Sequence, residues 1–232
     1  MYSHQARYYD KIYSFKDYRV EVEKLLTIIQ EHLPSGGKRL LDVACGTGNH
    51  LVFLKEHFVV EGLDISPELL EIAKQKLPDV TFNQGDMTGF DLKRTFDVVT
   101  CLFSSIGYVM TLENVAKAVH CMVNHLVPGG LLIIEPWFPP DQWHPNTVHG
   151  IYIDEPDLKV ARINTSSVDG RISMFDLHHL VGTPAGVEYF VEHHELGLFE
   201  TEEMRMVLEN GGLKVSYDAE GFGRGLFIAT KF

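Results

Sequence analysis

The chain has 232 residues, with 20 Lys and Arg against 32 Asp and Glu, a formal charge of −12 at pH 7. That balance argues against a nucleic-acid partner, because neutralising phosphates needs a basic footprint. No stretch reaches the roughly 18 uninterrupted apolar residues of a membrane span. The start MYSHQARYYDKIYSF lacks the apolar core of a signal peptide. Cys45, Cys101 and Cys121 show no metal-finger spacing. Together these predict a cytoplasmic chain with reduced thiols, no membrane partner and no metal.

Residues 18–32 place Val22, Leu25, Leu26 and Ile29 at helical spacing and stop at Pro34-Ser35-Gly36-Gly37. RLLDVA (39–44) reads as a strand buried on both faces. A turn at Gly46-Thr47-Gly48 and a helix over 49–57 follow. FVVEGLD (58–64) is a second strand, and Ser66-Pro67 opens a helix to about Lys76, serine capping and proline first. Residues 79–83 make a weaker third strand and FDVVTCLF (96–103) a fourth. Thr111 caps a helix over 112–126, Pro128-Gly129-Gly130 stops it, and LLIIE (131–135) is a fifth strand. Repeated strand–helix units predict an α/β fold with a doubly wound, mostly parallel sheet. Residues 136–150 read as a loop. Alternation then dominates over 151–198, with turn signals at Asp169-Gly170 and Thr183-Pro184-Ala185-Gly186, which predicts antiparallel hairpins. A helix over 201–210 and strands near 212–218 and 225–231 close the chain. The expectation is one domain, 1–232, with an antiparallel β excursion at about 137–198.

The sharpest feature is LLDVACGTGNH (40–50), where a strand ends, a Gly-x-Gly turn follows and a helix starts. Glycines there let the backbone turn and a ligand approach, at the strand edge where open α/β sheets bind ligands. A dinucleotide fingerprint needs a third glycine where this chain has Leu51, and no Walker loop exists. Asp42, four residues before Gly46, suits a cationic ligand better than a phosphate. Asp64 ends the second strand, where a carboxylate accepts hydrogen bonds from a ribose diol. Asp86 follows the third strand, placed to accept from an adenine amine while Met87 packs on the ring. Each acid alone is an ordinary cap or turn residue. Three in register with the glycine turn describe a ligand with a cationic end, a ribose and an adenine but no phosphate, which is S-adenosylmethionine.

On these residues the chain resembles the class I S-adenosylmethionine-dependent methyltransferases. DVACGTG looks like their first motif, Asp64 like their second-strand acid, GDM (85–87) like their third-strand acid, and PGG before LLIIE like their entry to strand five. Tyr9-Asp10, KDY (16–18), FSSIGY (103–108), EPWFPP (135–140) and GRGLF (223–227) narrow the resemblance to the N,N-dimethyltransferases of nucleotide-linked 3-amino-deoxysugars. The resemblance implies a Rossmann-like seven-stranded sheet whose last strand is antiparallel, with an antiparallel extension that serves substrate binding and dimerisation. It implies a homodimer, two rounds of methylation of a sugar amine, and no metal. It places Tyr18, Asp42, Ala44, Gly46, Gly48, Asp64, Ile65, Asp86, Met87 and Leu102 at the cofactor, and Tyr2 and Tyr108 at the amine.

Methyl transfer to nitrogen is an in-line displacement that needs an unprotonated amine placed about 3 Å from the methyl carbon, with water excluded. Tyr2, Tyr9, Tyr13 and Tyr18 crowd the N-terminus, where aromatic faces attract a sulfonium. Tyr8 and Tyr13 read more simply as packing for the first helix. A neutral tyrosine is a weak base, so Tyr2 and Tyr108 are expected to orient the amine first and relay protons second. Ser104 and Ser105 are small polar residues at the fourth strand's end, suited to ligand contact or to turn chemistry. Trp137 is placed to stack on a sugar or base, and Arg224 to clamp a diphosphate. Arg162 and Arg171 read as solvated surface charges. In His178-His179 and His193-His194, strand neighbours point to opposite faces, so neither pair chelates alone. The function expected is N-methylation of a small amine, most simply a nucleotide-linked amino sugar. The alternatives are another small metabolite, or a catalytically silent cofactor-binding regulator.

Overall fold

The computed structural model describes residues 8–232. Seven strands form the central sheet. They are β1 (Arg39–Val43), β2 (Val59–Asp64), β3 (Thr81–Gln84), β4 (Phe96–Cys101), β5 (Leu126–Ile134), β10 (Leu213–Asp218) and β11 (Leu226–Lys231), in the order β10-β11-β5-β4-β1-β2-β3. β11 runs antiparallel to β5 and β10, and the remaining pairs are parallel. This is the expected α/β sheet with its last strand antiparallel.

The central strands are apolar because both faces are covered. One core joins Leu41, Val43 and Val99 to helices α5 (Leu112–Asn124) and α6 (Thr201–Asn210). The other joins Leu40 and Val98 to α2 (Tyr18–His32), α3 (Asn49–Leu54) and α4 (Pro67–Lys76). Local chemistry starts these helices where expected. The Asp17 carboxylate accepts from the Arg19 and Val20 N–H groups, the Ser66 hydroxyl from Leu69 and the Thr111 hydroxyl from Asn114. Among the described residues no helix is long and apolar enough to cross a membrane.

Several boundaries differ from the sequence reading. The third strand is Thr81–Gln84 rather than 79–83, the fourth ends at Cys101 rather than 103, and the helix read as 112–126 ends at Asn124. The third helix stops at Leu54, three residues short of 57. Pro128-Gly129-Gly130 does not separate a helix from a strand but lies inside β5, which begins at Leu126. There Leu126 pairs with Phe96 and Leu131 with Val98, so the three residues form a bulge, with Gly129 at φ +73°. The stretch read as a loop ends early, because β6 starts at Val148.

The excursion is a separate four-stranded antiparallel sheet of β6 (Val148–Glu155), β7 (Leu158–Asp169), β8 (Ile172–Thr183) and β9 (Gly186–Gly197). Register fixes its inner face in rows: Arg162, His179 and Phe190 are cross-strand neighbours, as are Leu177 with Glu192 and Phe175 with His194. The short helix α1 (Tyr9–Ile12) packs on that face, Ile12 meeting Val160 and Val181. β9 also packs on a 3-10 turn, Ser105–Val109, that follows β4. At Gly107 a Cβ would lie 2.9 Å from the Leu196 side chain and 3.0 Å from Trp137 Cβ. Gly107→Ala is therefore expected to lower stability by about 1–3 kcal/mol, measured by denaturant unfolding, and to shift the neighbouring Tyr108.

Candidate active site

Strand ends β1, β2 and β4 and the 3-10 turn border a groove, and the groove leads to a larger cavity. One end of the groove is lined by Tyr18, Asp42, Gly46 and Leu102. The other is lined by Asp64, Ile65, Asp86 and Met87, and Ala44 belongs to both. Nine of the ten residues expected at the cofactor thus share one groove. The tenth, Gly48, faces away, since a Cβ there would point at Leu77, Ala73 and Phe82. Its φ of +76° makes it the turn residue that starts α3. Gly46 is the position where openness matters. A Cβ there would meet nothing within 4 Å, and its φ is +55°.

Each acid has a distinct environment. The Gly46 N–H donates to Asp64 Oδ2 at 2.7 Å and the Ser66 N–H to Oδ1 at 2.9 Å. Burial still raises the Asp64 carboxyl above its ordinary range, outweighing those two bonds. Each oxygen keeps lone-pair capacity for a diol. Asp42 is 2% exposed, accepts from Thr100 Oγ1 at 2.7 Å, and is pushed up to about 6 by burial. Asp86 accepts the Thr88 N–H and hydroxyl on Oδ1, an Asx turn that fixes its direction. A buried acid, a pinned acid, an exposed acid and an open glycine match a ligand with a cationic end, a diol and an amine-bearing base. The residues fit the cofactor.

Helix α1 roofs the groove. Asp10 accepts from Thr47 Oγ1 at 2.6 Å and Asn49 Nδ2 at 3.0 Å, and pairs with Lys76 at 2.7 Å. Burial alone would raise this carboxyl, but these bonds together hold it below its ordinary value. Tyr9 lines both groove and cavity, and burial raises its hydroxyl pKa well above the usual range. Tyr18 borders the groove edge-on to His50, with rings 5.0 Å apart, and burial pushes its hydroxyl up to about 12. Tyr2 lies outside the described residues.

The cavity measures about 540 Å³. Its walls include Trp137, Phe138, Trp143 and Phe175, and its cations are Arg162 and Arg224. Tyr108 borders both cavity and groove, and its hydroxyl lies 2.8 Å from His194 Nδ1. Ser105 borders both as well, its hydroxyl donating to the Leu102 carbonyl. Ser104 lies behind the cavity wall: it is 1% exposed, donates to the Pro136 carbonyl at 2.7 Å and accepts from Arg224 Nη1 at 3.3 Å. Trp137 Nε1 donates to Ser173 Oγ at 2.9 Å, which fixes its ring in the wall. Arg224 lies 5.1 Å from the Trp137 and Phe138 rings and 3.4 Å from buried Glu135.

Two sequence readings change here. Arg162 is no surface charge: its guanidinium lies over the Tyr13 ring, and its Nε and Nη1 are buried with no hydrogen-bond partner among the described residues. Tyr13 accordingly lines the cavity besides packing α1. Arg171, by contrast, pairs with Glu203 away from the cavity. Trp143 and Phe175 had no local motif to single them out, and His194 stood out only as half of a histidine pair; strand register sets Phe175 beside His194, and the Trp143 ring packs on Phe175.

The sign of the Asp42 effect follows from its raised pKa. The free protein holds this proton more tightly than the unfolded chain, so stability falls as pH rises from about 4 to 6. Asp42→Asn should therefore stabilise the free protein at pH 7 by on the order of 2 kcal/mol in thermal unfolding. Calorimetric titration should show weakened S-adenosylmethionine binding, and wild-type affinity should decline as pH drops through about 6.

Residues 40–130 match the methyltransferase domain family. Over 218 residues the chain is 37% identical to the dTDP-3-amino-3,4,6-trideoxy-alpha-D-glucopyranose N,N-dimethyltransferase of Streptomyces venezuelae, covering 93% of this chain and 92% of the relative. It is 35% identical over 230 residues to the dTDP-4-amino-2,3,4,6-tetradeoxy-D-glucose N,N-dimethyltransferase of Saccharopolyspora spinosa, covering 97% and 92%. Among solved structures it is similar to CalS10 with SAM bound, an amino pentose methyltransferase from Micromonospora echinaspora, with a TM-score of 0.86, 36% identity and coverage of 99% and 96%. The chain is a class I S-adenosylmethionine-dependent methyltransferase and belongs to the family of the nucleotide-linked amino-sugar N,N-dimethyltransferases.

Proposed function

We propose that this enzyme methylates the amine of a dTDP-linked amino deoxysugar, with the amine at Tyr108 and the nucleotide in the aromatic cavity. The observation that carries the reading is the cavity itself: two arginines face a space walled by two tryptophans and four phenylalanines, in a protein of charge −12. An acidic protein repels a nucleotide anion at long range, so placed cations must bind it. Arg162 and Arg224 supply them, and the buried Nε and Nη1 of Arg162, without a partner among the described residues, are suited to phosphate oxygens. The aromatic walls suit a base or sugar face.

The bound cofactor supplies an electrophilic methyl group on a sulfonium. The chain's own residues do the positioning. Asp42 holds the cationic end, Asp64 the diol and Asp86 the adenine edge, while Tyr9 and Tyr18 close the groove and exclude water. Tyr108 hydrogen-bonds the amine and directs its lone pair toward the groove.

Relatives carry the amine at carbon 3 or carbon 4 of the sugar, so both acceptors belong in the assay. Purified protein with S-adenosylmethionine should add one and then two methyl groups to at least one of them, read by mass spectrometry; no product from either would overturn the acceptor assignment. Arg162→Ala and Arg224→Ala should each raise acceptor KM about 30-fold, the loss of roughly 2 kcal/mol of charge-assisted bonding. Cofactor affinity should stay unchanged.

The same proposal places the enzyme in the cytoplasm, in keeping with its three free cysteines. It also makes it a homodimer through the outer face of the antiparallel sheet. There Tyr152, Ile163, Leu180 and Tyr189 are 43–73% exposed, a contiguous apolar surface of the kind that marks an interaction site. Light scattering of Leu180→Glu against the parent chain tests it.

A further inference from the structure

The amine that reaches Tyr108 arrives as an ammonium ion at neutral pH, since alkyl amines of this kind titrate at about 8 or above. A tyrosine hydroxyl alone is a poor acceptor for its proton. Behind Tyr108 stands a buried chain of titratable groups. Tyr108 Oη is 2.8 Å from His194 Nδ1. His194 Nε2 points toward Glu192 Oε2 at 3.9 Å, and the same carboxylate oxygen lies 3.4 Å from His179 Nε2. His194, Glu192 and His179 are 2%, 5% and 0% exposed. The His194 ring is held parallel to Phe175, with centroids 5.3 Å apart and planes within 9°, which fixes its plane, and the contact with Tyr108 Oη sets which nitrogen faces the cavity.

We propose that His194, backed by Glu192, takes the acceptor's proton through the Tyr108 hydroxyl. An ammonium N–H bond breaks as its proton passes to Tyr108 Oη, and the hydroxyl's own proton passes to His194 Nδ1. One proton leaves the nitrogen, the nitrogen keeps its electron pair, tyrosine is regenerated and the imidazole becomes imidazolium. This requires the neutral His194 tautomer with its proton on Nε2, facing the carboxylate, which leaves Nδ1 free to accept. Glu192 is suited to face a cation. Burial alone would raise its carboxyl, but the two imidazoles facing it, His179 and His194, hold it below the ordinary value. The imidazolium must then lose its proton to solvent through the cavity that His194 lines before a second amine proton can be taken. His194 acts through Tyr108, so it is a positioning and proton-accepting residue.

Other charges see this site. Arg162 of β7, Arg224, His144 and His149 line the same cavity, and Tyr9 and Tyr13 close it from α1. On the opposite face of β8 and β9, His193 pairs with Asp176 and Glu195, and His178 contacts Tyr189.

The inference rests on the acceptor being an amine, and the experiment separates the two. The pH profile of kcat/KM is measured with the dTDP-amino sugar for the parent enzyme, His194→Gln, Glu192→Gln and Tyr108→Phe. His194→Gln should lose about 100-fold at pH 7, with Tyr108→Phe comparable and Glu192→Gln smaller. The losses should shrink above about pH 9, where solution supplies free amine. Cofactor affinity, measured by calorimetry, should hold and reports an intact fold. A second readout needs no turnover. In the cofactor-free protein, the imidazole NMR signals of His194 should shift to the imidazolium position on binding the amino sugar, and should not shift with the corresponding hydroxy sugar. Variant profiles parallel to the parent's, or a His194 that keeps its protonation state when the amine binds, would overturn the relay alone. A parent enzyme that methylates no amine would overturn the acceptor reading and the relay with it.

Discussion

One carboxylate at the end of β2 ties together the edge on which the site is built. Asp64 receives the backbone N–H of Gly46 from the first strand–helix turn and that of Ser66 from the cap of α4. Its own carbonyl receives the N–H of Gly85, where the third turn begins. Three successive corners of the sheet are therefore fixed relative to one another by a single residue. That residue stays 6% exposed and still raised in pKa by burial, so it is held in an environment that disfavours its charge. Such strain is common where a ligand completes the set of partners. The donor groove inherits its shape from this junction.

The acceptor side depends on a different constraint, which is register. The central sheet supplies the strand ends but no wall for a second ligand. The wall is the inner face of β7, β8 and β9, where every second residue turns inward. The bulge-free pairing of β8 with β9 puts Phe175 beside His194 and Leu177 beside Glu192. A slip of one residue would send this whole set to the outer face. The 3-10 turn carrying Tyr108 packs directly on β9 and is seated there by Gly107. Donor and acceptor chambers thus meet at a turn held from both sides.

The groove was legible because its signals are local. Asp42, Gly46, Asp64 and Asp86 lie at the ends of apolar runs, and strand ends of a parallel sheet converge on one edge. The cap at Ser66-Pro67 and the hairpin turns were legible for the same reason. Local signals misled where two outcomes share one composition. Pro128-Gly129-Gly130 stops a helix in many chains, but here it makes a bulge inside β5. Ser104 and Ser105 are identical in type, and only packing decides that one is buried under Pro136 while the other faces the cavity. Arg162 looked like any surface arginine, since alternation says that neighbours part company but not which face is covered. The pairing of Tyr108 with His194 spans 86 positions, beyond the reach of any local pattern.

The Asp10 latch has a consequence for traffic. Thr47, Asn49 and Lys76 fasten α1 to the glycine turn and to α4, and the same short helix presents Tyr9 and Tyr13 to the acceptor cavity. One lid therefore serves two rooms. Any movement of α1 that opens the groove also shifts a wall of the cavity. Three polar contacts on one carboxylate, from Thr47, Asn49 and Lys76, therefore tie the opening of the groove to the opening of the cavity.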